Sequence, residues 1–297
     1  MQAGTLLGVR RRIRSVKSTQ QITKAMEMVS AARLRKVERS TFAMRPYGQE
    51  FDRIIAGILP NLEGDESPLI ERRSRVNAVG FVVMGADRGL CGAFNTNIVR
   101  YTEKLMAGVG VPVRVIACGR KMVRHFRKTH KLDGAFEEIF RSVSISLAEA
   151  IARKAVELYE TARVDEVQLV YVRFVNVVRH QVDRRVLLPI SLDEVREEIK
   201  DELGPEALGE ISYAETFPDA ATVAGYVFQR YIALVTFRCL LETLTSEMGA
   251  RMSVMKQATE NAGDMIDHLT LIYNQARQRS ITRELLDIVG AAEALKG

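Results

Sequence analysis

The chain has 297 residues, a formal net charge of +6, 47% hydrophobic residues and no tryptophan. That apolar content is enough for one large or two small packed domains. Three cysteines, Cys91, Cys118 and Cys239, are irregularly spaced, which argues against a disulfide framework or a metal knuckle and favours a reducing compartment. No apolar run reaches the roughly 18 residues of a membrane span, and no signal peptide is visible. We therefore expect any membrane association to be peripheral.

Residues 1–58 are predicted to form one long helix. No glycine falls between Gly8 and Gly48, and apolar side chains recur at roughly helical spacing: Leu6, Val9, Ile13, Val16, Ile22, Met26, Val29 and Val37. Six basic residues precede the first acid, Glu27: Arg10, Arg11, Arg12, Arg14, Lys17 and Lys24. This basic start is open to four interpretations: an organellar presequence, a nucleic-acid-binding arm, a solvated face, or a strip that meets an acidic protein surface.

The middle of the chain has a different pattern. Residues 59–75 contain several turn formers, including Pro60, Gly64 and Pro68, and are predicted to be a linker. Within residues 76–205, strands are predicted at 76–84, 114–117, 136–141, 167–175 and 185–189, and helices at 93–107, 119–129 and 145–162. This alternation is typical of a small Rossmann-like α/β domain with a largely parallel sheet.

A glycine-rich turn at residues 84–95 follows the first predicted strand. Such a turn could hold phosphate on backbone N–H groups at a helix start. Its glycines, Gly85, Gly89 and Gly92, fit neither G-x-G-x-x-G nor G-x-x-x-x-G-K-[ST], and no P-loop lysine follows. We therefore expect a structural turn and no direct nucleotide binding by this chain.

Motifs for other chemistry are missing from the sequence. The four histidines, His125, His130, His180 and His268, have no metal-ligand spacing, and neither H-E-x-x-H nor G-x-S-x-G occurs. Adjacent acids such as Glu137 and Glu138 are more typical of a solvated surface than of acid–base catalysis. The sequence predicts no catalytic site, no metal and no cofactor.

Residues 206–297 are predicted to be a connector followed by one uninterrupted helix from about residue 218 to 294. Its apolar seam advances in steps averaging about 3.5 residues, the repeat of a left-handed coiled coil. The fifteen seam positions are Val227, Tyr231, Leu234, Phe237, Leu241, Leu244, Met248, Met252, Met255, Ala258, Ala262, Ile266, Leu269, Tyr273 and Ala276. A helix of some seventy residues is on the order of 105 Å long and needs a partner. The predicted fold is thus an antiparallel coiled coil of the N- and C-terminal helices with an inserted α/β domain.

The end of the C-terminal helix has no partner within the chain. The N-terminal helix, at about 80 Å, is shorter by roughly 25 Å. Beyond Ala276 the apolar residues leave the narrow seam: Ile281, Leu285, Leu286, Ile288 and Val289. A helix tip that is apolar on several sides is expected to be enclosed, and we predict that another protein encloses it.

Five segments carry a family resemblance: residues 13–29, 87–97, 246–252, 258–263 and 273–285. In this order, and over essentially the whole chain, they resemble the gamma subunit of F-type ATP synthase. The resemblance implies the central shaft of a rotary motor, with the coiled coil inside a hexamer of three alpha and three beta subunits. It also implies that the α/β domain rests with the epsilon subunit on the membrane c-ring, and that ATP is made on beta.

The same resemblance assigns partner contacts. The family's coupling positions correspond to Lys24 and Met26 in the first helix and to Glu247 and Arg251 in the last, which are spaced for an i,i+4 pair. Positions that hydrogen-bond a loop of beta in the family correspond to Arg277, Gln278, Thr282 and Glu284. The alternative for each is a solvated helix residue. Arg279 and Arg283 depart from the family pattern and add positive charge beside these contacts.

The sequence also bears on redox regulation, localisation and an alternative function. The cysteine pair of the chloroplast members is missing, so we expect no thiol switch of that type. The chain starts at the family motif, which favours a bacterial protein bound peripherally to the cytoplasmic side of the plasma membrane. The alternative function is a basic coiled-coil nucleic-acid-binding protein, which would need a basic face repeated along the helices and stacking aromatic residues.

Overall fold

The computed structural model describes residues 2–58, 67–70, 73–141, 143–177, 179–204 and 220–294. The helices are α1 (Gln2–Ile58), α2 (Phe94–Val109), α3 (Arg120–Phe126), α4 (Ile145–Glu160), α5 (Leu192–Leu203) and α6 (Ala220–Ala294). The strands are β1 (Val79–Met84), β2 (Val113–Cys118), β3 (Leu132–Phe136), β4 (Glu166–Phe174) and β5 (His180–Leu188). Most of the predicted linker and the connector before α6 lie outside the described residues, so the predicted domain boundaries stay predictions. None of the described helices is long and apolar enough to cross a membrane.

The described chain divides into two compact units. The terminal unit comprises Met1–Ala31 and Arg251–Gly297, and the central unit comprises Ala32–Ala250. Both long helices contribute to both units. The terminal unit therefore holds one end of each helix, and the central unit holds the sheet, the four shorter helices and the other ends of α1 and α6.

One five-stranded sheet, in the order β3-β2-β1-β4-β5, organises the central unit. Strands β1 to β4 are parallel, and β5 pairs antiparallel with β4. Every residue of β1, Val-Gly-Phe-Val-Val-Met, is buried, as expected for a central strand covered on both faces. One core includes residues of α4, α5, α6 and the end of α1, and the other includes residues of α2 and α3. The α/β prediction is confirmed.

Two of the predicted strands differ from the structure. The strand expected at 136–141 is β3, Leu132–Phe136, and residues 138–141 form a turn in which the Phe140 amide donates to the Asp87 carboxylate. The strand expected at 185–189 begins earlier, at His180, because it forms a hairpin with β4. Helix α5 was not predicted, although Ser191 caps it by accepting from the Glu194 amide.

The seam of α6 matches its prediction more closely than the seam of α1. All fifteen predicted positions of α6 are buried or partly buried. On α1, the predicted seam residues Ile22 and Val29 are instead more than half exposed, and Thr23 and Ser30 are buried. The seam of α1 therefore contains polar residues that a purely apolar pattern could not identify.

Thr23 and the nearby Gln20 pair with α6 inside the terminal unit. The Thr259 hydroxyl donates to the Thr23 hydroxyl over 2.8 Å, and the Gln20 side-chain amide donates to the Thr259 carbonyl over 3.4 Å. A Cβ at Gly263 would lie 3.2 Å from the Gln20 amide nitrogen, so a small residue here keeps the helices close. A polar layer of this kind specifies register in a coiled coil.

Candidate functional site

Helix α6 docks onto β4 at the carboxyl end of the sheet. The β1–β4 pairing ends at Val83 and Val170, so the backbone of Val172 has no β1 partner. The Thr243 hydroxyl accepts from the Val172 amide over 3.2 Å, and the Ser246 hydroxyl donates to the Val172 carbonyl over 3.3 Å. Side chains of α6 thereby satisfy buried backbone groups that the sheet leaves unpaired.

This docking fills the place where open α/β sheets usually bind ligands. That place is the crevice at the carboxyl ends of the strands, where the strand order reverses, which here is beside β1 and β4. Ala250 of α6 belongs to the same buried cluster as Cys91 and Val170. The Rossmann-like crevice of the central unit is thus packed with the chain's own helix.

The glycine-rich turn has its polar groups bonded within the central unit. Both carboxylate oxygens of Asp87 accept backbone hydrogen bonds, from Arg120 over 2.9 Å and from Phe140 over 3.0 Å. The Asn95 side chain accepts from the amide of Ala86 over 3.0 Å. These bonds hold the turn against the start of α3.

Glycine is required where this turn meets α3. Gly119 has φ of 97°, and a Cβ there would lie 1.9 Å from the Gly85 carbonyl oxygen. A Cβ at Gly85 would in turn meet the Met122 side chain within 2.6 Å. Two backbones therefore approach closely at this point, which only glycine permits.

A hydrogen-bonded ion network joins α6 to β5 and α5. The Arg185 guanidinium lies 2.6 Å from the Glu198 carboxylate and donates to the Tyr231 hydroxyl over 2.9 Å. Burial alone would lower the pKa of Arg185, but the neighbouring Tyr231 and Glu198 raise it overall. Burial raises the pKa of Tyr231, which stays a neutral donor to Glu198 over 3.3 Å. Because these bonds are directional, they fix the rotation of α6 against the sheet.

Two further ion pairs connect α6 to neighbouring helices. Arg238 lies 3.2 Å from the Asp52 carboxylate of α1, where Gly48 leaves room for the guanidinium. Arg230 pairs with Glu149 of α4. Within the central unit, α6 is therefore bonded to α1, α4, α5 and β5 by charged or hydroxyl groups in addition to apolar packing.

The predicted coupling residues of the 246–252 segment are buried. Glu247 is 2% exposed and Arg251 is 8% exposed, so neither is a solvated helix residue. A Cβ at Gly249 would lie 3.3 Å from the Val177 carbonyl oxygen, so this glycine lets the β4–β5 turn approach the helix. The i,i+4 pairing of Glu247 with Arg251 stays a prediction.

The predicted coupling residues of α1 lie at the surface of the terminal unit. Lys24 is exposed and pairs with Glu27 over 3.2 Å, while Met26 is partly buried. An exposed pair of this kind contributes between zero and about 1 kcal/mol to stability, so a structural reason for Lys24 is weak.

The last turns of α6 expose the remaining predicted contacts. Arg277, Gln278, Thr282 and Glu284 are all exposed, and the Ser280 hydroxyl donates to Glu284 over 3.2 Å. The five residues of the apolar tip are between 45% and 66% exposed: Ile281, Leu285, Leu286, Ile288 and Val289. Among the described residues, nothing covers this apolar tip.

Sequence reasoning missed the residues that hold α6 to the domain. Ser246 lies inside one of the segments that carry the family resemblance. No local sequence pattern links the other four residues, because they come from three separate elements: Thr243, Arg185, Glu198 and Tyr231. No group of His, Cys, Asp or Glu in the described part of the chain is arranged to hold a metal ion.

The chain has an α/β domain inserted between two long helices, and the second of these helices ends in an exposed apolar tip. This arrangement defines a helical-stalk protein. A family model described as ATP synthase matches residues 5–295, and the chain belongs to this family. Its relatives there are gamma chains. It is 40% identical to the ATP synthase gamma chain of Heliobacterium modesticaldum, over 97% of this chain and 98% of that one. It is 37% identical to the Moorella thermoacetica gamma chain, with the same shares covered.

Solved structures agree on the fold. A chain from the Euglena gracilis mitochondrial ATP synthase in rotational state 3 aligns with a TM-score of 0.67 and 22% identity, covering 99% of this chain and 95% of that chain. A chain from the central stalk and c-ring of the Tetrahymena thermophila mitochondrial ATP synthase aligns with a TM-score of 0.58 and 22% identity, covering 80% of this chain and 99% of that chain. At this identity the likeness concerns the fold alone.

Proposed function

We infer that this chain is the central rotor shaft of an F1Fo ATP synthase. It transmits torque between the membrane c-ring and the catalytic hexamer, and so couples ion translocation to ATP synthesis. The observation that carries this inference is the match to bacterial gamma chains along 97% of the sequence. The nucleic-acid-binding alternative has no comparable support.

The exposed end of α6 is the part of the shaft that the hexamer encloses in this proposal. A soluble protein rarely leaves large apolar side chains together on several sides of a helix unless a partner covers them. Arg277, Gln278, Thr282 and Glu284 precede or flank this tip and offer hydrogen-bonding groups to a loop of a beta subunit. Arg279 and Arg283 add two cations, which favour an acidic loop there.

The bonds of α6 within the central unit supply the other requirement for a shaft. Torque rotates a helix about its axis, and the close packing of apolar side chains opposes such rotation because it leaves them little free space. The Arg185–Glu198–Tyr231 network and the Arg238–Asp52 pair have fixed geometry, so they oppose it. In this proposal the α/β domain, together with the epsilon subunit, receives torque from the c-ring and passes it to α6 through these bonds.

The assembly follows from the same inference. Its partners are three alpha and three beta subunits, one epsilon subunit and the c-ring, and ATP chemistry takes place on beta and not on this chain. The complex lies at the plasma membrane, with this chain bound peripherally on the cytoplasmic side. No cofactor and no nucleic acid are required.

Native mass spectrometry of the tagged chain, purified from its own membranes in mild detergent, tests the proposal. We expect one copy of the chain with three copies each of two larger nucleotide-binding subunits. A matched sample truncated after Ala276 should keep the helical content of the remaining chain but dissociate from the hexamer at lower collision energy. The chain found alone, or with nucleic acid, would contradict the shaft function.

A further inference from the structure

A groove lies between α2 and the sheet edge of the central unit, beside Val172. Its volume is about 490 Å³, and its walls come from one side of α2, from the end of β4 and from the first residues of β5. Phe94 and Tyr101 supply aromatic wall, and Val172 and Val182 supply aliphatic floor. The groove is therefore partly apolar.

The two charged side chains that line the groove are both cations. Arg100 and Lys104, one turn apart on α2, line it and bond to no other described residue. The Nδ1 atom of His180 is buried and has no hydrogen-bond partner among the described residues. Burial lowers the pKa of His180, which favours its neutral ring, so the charged side chains that line the groove are Arg100 and Lys104. No carboxylate lines the groove.

This arrangement selects a ligand that accepts hydrogen bonds and carries negative charge. Arg100 and Lys104 have no counter-ion among the described residues and repel each other, and a negatively charged ligand would relieve that repulsion. A carboxylate satisfies a guanidinium and an ammonium at once, because it offers two oxygens with about four lone-pair sites.

The neighbouring strand favours a peptide as the source of that carboxylate. Strand β5 is the last strand of the sheet, and its outer backbone edge pairs with no other described strand. An open edge of this kind accepts an added strand from a partner through main-chain hydrogen bonds. Arg184, exposed on β5, adds a further cation at the same edge.

We propose that the groove between α2 and β5 binds an acidic, extended peptide segment of a partner protein. The segment adds a strand to β5 and places a carboxylate between Arg100 and Lys104. An apolar side chain of the same segment packs on Phe94 and Tyr101. Nucleic acid fits less well, because two cations on one helix turn are too few to follow a phosphate backbone.

Site-specific photo-crosslinking in the assembled complex tests the partner. The photoreactive residue p-benzoylphenylalanine replaces Asn97, which is exposed and lines the groove, or replaces Thr96, which is exposed but does not line it. We expect an adduct from position 97 with a segment that carries at least two acids, identified by mass spectrometry. The adduct should disappear in an Arg100→Ala, Lys104→Ala background and persist in an Arg124→Ala, Lys128→Ala background, which loses equal charge from exposed residues.

Three crosslinking results would overturn the proposal. The first is an adduct at position 97 no stronger than at position 96. The second is an adduct that survives loss of Arg100 and Lys104. The third is an adduct with nucleic acid, lipid or a segment without acids.

Peptide binding to the purified full-length chain gives a second test that does not depend on assembly. The probe is a fluorescent peptide of alternating valine and glutamate, and the control peptide has glutamine in place of glutamate. We expect the Arg100→Ala, Lys104→Ala variant to bind the acidic peptide roughly tenfold more weakly than the Arg124→Ala, Lys128→Ala variant. Equal affinities, or displacement of the peptide by inorganic phosphate alone, would reject a peptide site. The rotor function is unaffected by either result, because it is tested by assembly.

Discussion

Helix α6 lies in two different environments. Comparing them distinguishes the residues that stabilise the fold from the residues that remain for partner proteins. In the central unit, every residue from 231 to 250 is buried except Arg238 and Glu242, which are partly exposed. In the terminal unit, burial recurs only at Arg251, Met255, Ala262 and Leu269, and no described residue beyond Leu269 is buried. The same helix is therefore part of the core in the central unit. In the terminal unit it is buried along one side only, and its last turns are exposed.

The difference lies in the surroundings and not in helix-forming tendency. The whole of α6 lacks proline, and its apolar residues continue to the end of the helix. Apolar residues near its start stabilise the fold because the sheet and three helices cover them. Apolar residues near its end contribute little to folding of the chain alone, because burial is what makes an apolar side chain stabilising. The following experiments compare the two units, in order of the stability change expected.

The largest contrast is expected for one substitution made at two leucines. Leu240→Ala removes a side chain that is fully buried in the central unit, whereas Leu286→Ala removes one that is 66% exposed. We expect Leu240→Ala to lower the free energy of unfolding by about 2–5 kcal/mol and Leu286→Ala to change it by less than about 0.5 kcal/mol. Urea unfolding of the purified chain, followed by circular dichroism, measures both. Equal losses would show that the tip is covered within the chain itself.

Charged groups should show a smaller contrast that depends on pH. In the central unit, Asp165 accepts from Arg73 over 2.7 Å and from the amides of Asn77 and Ala78. Burial alone would raise the pKa of Asp165, but these hydrogen bonds lower it below its usual range. Since the folded-state pKa is the lower one, the stabilisation is complete above the unfolded-state pKa and is lost as pH falls through the folded-state pKa.

Asp165→Asn should therefore lower the free energy of unfolding by about 1–2 kcal/mol at pH 7, with the deficit shrinking below about pH 4. The matched change in the terminal unit is Glu27→Gln, which breaks the surface pair with Lys24 and should cost less than about 0.5 kcal/mol. Urea unfolding at a series of pH values compares them. A deficit for Asp165→Asn that stays constant down to pH 2 would contradict the assigned ionisation.

The polar layer of the terminal unit should show a still smaller effect. Thr23→Val leaves the Thr259 hydroxyl a remaining acceptor, the Met255 carbonyl at 2.8 Å, so the single change should cost less than about 1 kcal/mol. Replacing both threonines by valine removes both partners and should be nearly neutral. A double-mutant cycle measured by thermal unfolding gives the coupling free energy, for which we expect about 0.5–1 kcal/mol. A coupling of zero would mean that the hydroxyls do not interact in solution.

The smallest stability change is expected at the contacts proposed for beta. Arg277→Ala combined with Gln278→Ala should leave helical content and unfolding free energy within about 0.5 kcal/mol of the wild type, because both side chains are exposed. In the assembled complex, the same variant should hydrolyse ATP more slowly. The control is Asn274→Ala with Gln275→Ala, two exposed residues one turn earlier. A similar slowing in the control would assign the effect to the helix surface in general.

Much of the fold was predictable because the spacing of apolar residues along a helix or strand is a local property of the sequence. All fifteen seam positions that the 3.5-residue repeat of α6 predicted are buried or partly buried, since burial on one helix face requires that spacing. Strands β1, β2 and β4 were predicted close to their bounds from their runs of Val, Ile and Phe. The edge strands β3 and β5 were not, because an edge strand is only partly buried and its composition depends on what it pairs with.

The candidate contact residues also differ in whether the sequence alone could predict their burial. The apolar tip could be identified from the sequence because its residues are adjacent and leave the seam. The burial of Glu247 and Arg251 could not, since two charged residues on a helix are usually solvated and only their tertiary surroundings bury them. The polar layer of Gln20, Thr23 and Thr259 was missed for the same reason, because hydroxyl and amide groups enter a seam only when a specific partner faces them.

By itself, the sequence determined that two long helices flank an α/β domain and that the last helix ends in an apolar tip beyond its seam. These features follow from residue periodicity, which depends on neighbours within a few turns. Only the tertiary structure decided that α6 fills the ligand crevice of the sheet and bonds to Val172, Arg185 and Asp52. Those contacts join residues up to 186 positions apart in the chain, and no local pattern specifies which distant groups will meet.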